Sequence, residues 1–166
     1  GGLSYDLILD AQKVYDFLPR FFHATGYATV YEKNETDLQR KQYVIPGMKD
    51  DGYLENDKFI TCLPGGASSA CPTFEASDMF EIQLVKESSL RFDYDPGLAP
   101  SKFAQTSVFA NANRMLGWLI DHGYSNFGTI PIRLAVHWAV QGDTNNALYD
   151  PRPGYSTIYI GDGDNQ

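Results

Sequence analysis

Thr106-Ser-Val-Phe-Ala-Asn-Ala-Asn-Arg-Met-Leu-Gly-Trp-Leu-Ile-Asp-His122-Gly123 is the stretch whose reading decides the fold. Its apolar residues, Val108, Phe109, Ala112, Met115, Leu116, Leu119 and Ile120, recur at the spacing of one wide helical face. Thr106 or Ser107 offers a side-chain oxygen for the unpaired N–H groups of a first turn. Gly123 offers a left-handed stop. The spacing therefore predicts a helix over about 107–122. A helix with one apolar face needs a layer to bury it against, and the rest of the chain reads as that layer.

Downstream, Ile130 to Val140 alternates, with Ile132, Leu134, Val136, Trp138 and Val140 on one face and Arg133, Ala135, His137 and Ala139 on the other. Gly142-Asp-Thr144 reads as a loop, Asn146 to Tyr149 as a short extended piece, Asp150-Pro-Arg-Pro-Gly154 as a turn, and Thr157 to Ile160 as a strand. Upstream, Asp95-Pro-Gly-Leu-Ala-Pro100 is a turn signal. Before it, Met79–Val85 and Leu90–Tyr94 flank Glu87-Ser-Ser89 like the arms of a hairpin. Phe59–Leu63, Gln42–Ile45 (stopped by Pro46-Gly47) and Tyr27–Tyr31 read as further strands. Val14, Phe17, Leu18, Phe21 and Phe22 mark a shorter amphipathic helix over about 11–22, which Pro19 should kink or end.

The expected fold is thus α+β: a twisted, mainly antiparallel sheet packed on one long helix, with a shorter N-terminal helix. One domain is expected over 1–166, since neither the β-rich residues 1–100 nor residues 101–166 alone have a comfortable core. Apolar residues at 43% and charged ones at 20% are those of a globular chain, and 11 Tyr with 10 Phe lean toward strands. A net charge of −8 with no Lys/Arg cluster argues against nucleic acid and anionic membranes as partners. No apolar run approaches the roughly 20 residues of a membrane span.

Cys62 and Cys71 bracket Leu63-Pro-Gly-Gly-Ala-Ser-Ser-Ala70, a flexible segment able to bring them within disulfide range. A bridge there implies an oxidising, extracellular compartment; two buried free thiols are the alternative. Two cysteines without a nearby histidine are a poor zinc site. Asn34-Glu-Thr36 fits a glycosylation sequon. Asp50-Asp-Gly52 with Glu55 and Asp57 offers oxygen ligands of the kind calcium takes, but it lacks EF-hand spacing and reads as a solvated acidic loop.

The order helix, strand bearing a His, Asn145-Asn-Ala-Leu-Tyr149, turn, then Ile158-Tyr-Ile-Gly-Asp-Gly-Asp164 resembles the N-terminal subdomain of thermolysin-like zinc metallopeptidases over about 106–164. The resemblance implies an edge strand along a substrate cleft that pairs with extended peptide. Asn146 would bond substrate main chain by its side-chain amide, Ala147 would offer its carbonyl beside a small side chain, and Tyr149 stands at a family aromatic position. The family's zinc chemistry lies in a His-Glu-x-x-His helix that follows Gly-Asp-Gly-Asp. This sequence stops at Gln166, and its histidines, His23, His122 and His137, lack that spacing. The expectation is therefore a substrate-cleft portion of a secreted peptidase, without catalytic residues or cofactor of its own. Zinc, with calcium as a further option, would belong to a C-terminal catalytic half. The expected partner is that half or a peptide substrate. The alternative is a non-catalytic extracellular protein that binds peptides or self-assembles through exposed strand edges.

Overall fold

The computed structural model describes residues 24–32, 39–62, 84–137, 146–152 and 154–161. Its elements in chain order are β1 (Ala24–Tyr31), β2 (Arg40–Met48), β3 (Phe59–Cys62), β4 (Arg91–Phe92), α1 (Pro100–Asp121), β5 (Ile132–Val136), β6 (Ala147–Arg152) and β7 (Tyr155–Ile160). The fold is α+β. Its strands form two mixed sheets rather than one mainly antiparallel sheet. In the first, β1 sits between antiparallel β2 and parallel β4. In the second, the order is β3-β5-β7-β6, with β3, β5 and β7 parallel and β6 antiparallel to β7. The shorter helix expected near 11–22 lies outside the described residues.

Helix α1 starts earlier than its apolar spacing implies. Asp95 organises the entry: its carboxylate accepts the N–H groups of Gly97 and Leu98, and its carbonyl accepts that of Ala99. Pro100 then opens the helix, where its missing N–H costs nothing and its fixed φ already suits the first turn. Thr106 and Ser107 consequently lie inside the helix and cap nothing. At the far end Gly123, at φ +87°, donates to the Ile120 carbonyl while Tyr124 donates to that of Leu119. These two bonds form the Schellman closure that a left-handed residue permits.

The first sheet also departs from its local signals. Pro46-Gly47 does not stop β2. Between the pairs Gly26↔Ile45 and Ala24↔Met48, β2 holds one residue more than β1, a bulge with Gly47 at φ +72°. The bulge absorbs a proline and a left-handed glycine that a regular ladder would reject. The expected hairpin partner of Leu90–Tyr94 is replaced as well: β4 pairs with β1, and Leu84 and Val85, the described end of the other arm, lie outside any strand. Residues 79–83 lie outside the described residues.

Both sheets contribute to one core under α1. Phe109 and Ala110 of the helix pack among Ala28 and Val30 of β1, Ile45 and Met48 of β2, Phe59 of β3, Phe92 of β4 and Leu134 of β5. Gln105, fully buried, accepts the Val85 N–H at 3.1 Å and so satisfies backbone next to that core. β5 is covered on both faces: Leu134 and Val136 are buried, and so are Ala135 and His137. A central parallel strand of this kind loses the half-polar alternation that its sequence suggested. Among the described residues no helix is long and apolar enough to cross a membrane.

Candidate functional site

The Asn146–Tyr149 segment falls where the second sheet ends. β6 has β7 on one side and no described strand on the other. The hairpin is tighter than the sequence implied. Asp150, Pro151 and Arg152 belong to β6, and Arg152 pairs with Tyr155 across a two-residue turn. Pro151 is tolerated because an edge strand has positions whose N–H is not needed by the ladder.

The phase of the β6–β7 ladder decides what the free edge offers. The Gly161 N–H donates to the Asn146 carbonyl at 2.9 Å. In an antiparallel pair the bonded positions alternate, so Leu148 with Tyr159 and Asp150 with Thr157 share the inward bonds. The main-chain groups of Ala147, Tyr149 and Pro151 therefore face the open side. Asn146 Oδ1 already accepts the Ala147 N–H, at 2.8 Å, and proline has no N–H to offer. What remains is a short window: the Ala147 carbonyl, the Tyr149 N–H and carbonyl, and the Pro151 carbonyl. The amide oxygen of Asn146 is thus committed to its own strand, which leaves its NH₂ as the group for an incoming chain.

Side chains alternate across the same sheet. Tyr149 pairs with Ile158, and Ile158 with Leu134, so all three share the face that packs on α1. On that face a hollow of about 420 Å³ is lined by Leu116 of α1, Phe127 and Ile130 of the loop that follows, Ile132 of β5, Tyr149 and Ser156. Tyr149 is 55% exposed and Ile130 54%. The polar groups here are engaged with one another: Tyr149 Oη donates to Ser156 Oγ at 3.3 Å, and Lys58 Nζ donates to the Gly128 carbonyl at 3.2 Å. A second hollow of about 540 Å³ lies beyond Leu116 and Lys58, between the β2 bulge and the Asn113–Ile120 side of the helix. Asn56 Nδ2 donates to Asn113 Oδ1 at 2.7 Å along its wall.

Sequence reasoning singled out Asn146, Ala147 and Tyr149, and these are adjacent on the free edge. It passed over Phe127 and Ile130. Their only signal was two large apolar residues in a Gly- and Pro-bounded loop, Phe127-Gly-Thr-Ile-Pro131, where nothing local calls for them. Cys62 is fully buried on the sheet face opposite α1, in one row with Ala135 and Tyr159. Cys71, its expected disulfide partner, lies outside the described residues.

The described residues do not compose a zinc site. Zinc takes at least three convergent His, Cys, Asp or Glu donors, and among the described residues no three converge. His122 stacks on Trp118 with ring centroids 4.0 Å apart, and its Nδ1 lies 2.8 Å from the Trp118 carbonyl. His137 is buried where β5 ends, at φ +59°; His23 lies outside the described residues. In the acidic loop, Asp51 accepts the Tyr53 N–H and Glu55 is paired with Lys49, an ordinary turn and ion pair. Tyr94 donates to the Glu87 carboxylate at 2.5 Å. Burial first, and that carboxylate second, hold its phenol well above the usual tyrosine range. The contact ties the turn before β4 to the residues after it.

No known family model matches the chain, and neither a curated protein nor a solved structure is similar to it.

Proposed function

We propose that this chain supplies the peptide-binding wall of a secreted, thermolysin-like zinc metallopeptidase. The observation that carries the reading is the ladder phase of β6, which turns the Ala147 carbonyl and both main-chain groups of Tyr149 to the side on which no described strand lies. An extended peptide laid antiparallel along β6 would exchange two bonds with Tyr149 and donate a third to Ala147. The small Ala147 side chain leaves that approach open. Zinc and the base that activates its water would come from outside the described residues; the role of this chain is to hold the substrate extended. A Cys62–Cys71 bridge belongs to the same extracellular reading.

The alternative, a structural protein that assembles edge to edge, is less well served by this edge. Asn146 covers one outward donor and Pro151 removes another, the devices by which natural sheets discourage indefinite pairing. A window of three or four groups suits one short strand.

The test is a titration of the 166-residue chain with blocked, extended hexapeptides, followed by backbone amide NMR. Saturable shifts are expected at Ala147, Leu148 and Tyr149. N-methylating the peptide residue opposite Tyr149 should weaken binding about tenfold, the scale of one or two lost hydrogen bonds. Methylating the next residue, whose N–H points away, should change little. If β6 amides stay still at millimolar peptide, the peptide-wall reading fails.

A further inference from the structure

We infer that β6 pairs antiparallel with β6 of a second copy of this chain, about a two-fold axis at Leu148, in a dimer that closes at two copies. The inference goes beyond the peptide-wall reading and does not need it. It uses the same edge, so a second copy and a peptide would compete for one place.

Three observations converge. The first is exposure. Asn146, Ala147, Leu148 and Tyr149 are all exposed, Leu148 to 48% and Tyr149 to 55%. Two large apolar side chains thus stand on a strand with no described neighbour outside it, the kind of edge that recruits another strand. The second is closure. At the opposite end of the same sheet, the residues before β3 fold back along it: the Asn56 N–H donates to the Phe59 carbonyl at 2.9 Å, the Thr61 N–H to the Leu54 carbonyl at 3.1 Å, and Glu55 bridges to Ile60. Two copies joined at β6 therefore make one continuous sheet with a covered strand at either end, a closed pair rather than a fibre. The third is register. The open side of β6 has one free main-chain donor, the Tyr149 N–H, since Asn146 Oδ1 holds that of Ala147 and Pro151 has none. A two-fold centred on Tyr149 would press the Pro151 ring against the Ala147 carbonyl of the second copy. One centred on Asp150 would set two carboxylates directly opposite each other. Centred on Leu148, the pairing sets Leu148 against Leu148, Tyr149 against the small Ala147, and each Tyr149 N–H on the Ala147 carbonyl across the axis. Pro151 then lies beyond the paired residues.

So short an interface predicts a weak dimer, with a Kd of about 0.1–1 mM. The experiment is sedimentation equilibrium of the full chain, loaded from about 20 μM to about 1 mM, in about 0.5 M salt to screen the net charge of −8 on each copy. Monomer should pass to dimer, with no larger species. Leu148→Lys sets two ammonium groups against each other across the axis and should raise the Kd about tenfold or more. Leu148→Cys supplies a second readout should the lysine disturb the hairpin. Residues facing each other in a non-hydrogen-bonded pair have Cα atoms about 4.5 Å apart, within disulfide range, so this variant should crosslink into a dimer under mild oxidation. Asp150→Cys, well out of register with its counterpart, should not. Monomer at every concentration would overturn the inference. So would a dimer unmoved by Leu148→Lys, or equal crosslinking by the two cysteine variants, since either places the contact elsewhere. None of these results decides whether the β6 amides respond to peptide, so the peptide wall stands or falls by its own titration.

Discussion

The two halves of α1 carry the same apolar stripe and meet different fates. Around Gln105, Thr106, Phe109 and Ala110 the helix is buried among residues from both sheets. One to three turns later on that stripe, Met115 is 66% exposed and Ile120 53%. The period of a sequence specifies which residues share a face, not how far the neighbouring layer extends beneath it. Under the first half lies a core drawn from both sheets; under the second, the layer opens into the two hollows that flank Leu116. The first half holds the molecule together, and the second stands over the two hollows.

Substitutions on either side of that divide should differ by an order of magnitude. Phe109→Ala leaves a void in the shared core and should cost about 3–5 kcal/mol in urea unfolding. A loss near 1 kcal/mol would mean that the two sheets do not share this core. Gln105→Leu keeps the volume but strands the buried Val85 N–H, for about 1–3 kcal/mol. A neutral outcome would show that another acceptor reaches Val85. At the small end, Met115→Ser and Ile120→Ser should each change stability by less than about 0.5 kcal/mol. A cost above 1 kcal/mol for either would erase the contrast between the halves.

Much of this architecture was legible where physical cause is local. The helix, the strand at Tyr27–Tyr31, the strand at Thr157–Ile160 and the glycine stop at Gly123 follow from spacing and backbone freedom alone. The errors occurred where a distant partner overrode a local signal. Pro46-Gly47 reads as a terminator, yet β1 holds β2 together across it as a bulge. Leu90–Tyr94 reads as one arm of a hairpin, yet β4 lies parallel to β1. Asp150-Pro-Arg reads as turn, yet β6, with a described neighbour on one side only, has room for proline. At the candidate site, Asn146, Ala147 and Tyr149 are consecutive enough to be read together. The hollow draws one or two residues from each of several elements, and no window of sequence contains it.

The second sheet carries a consequence for how the chain folds. β3 joins its neighbour β5 as Phe59↔Ile132, a parallel pairing that closes a long stretch of the chain into a loop. β6 and β7 are joined by the tightest kind of connection. Hairpins of the second type form in roughly 1–10 μs, whereas non-local parallel pairings are opposed by chain entropy before any contact rewards them and are reached late. The edge proposed to face peptide is thus among the earliest regions of the sheet able to form, and the strands that support it from behind are among the last. For that interval both sides of the hairpin are open to neighbouring chains, and Pro151 and the Asn146 side chain are already in place to limit how much of one of those sides they can use.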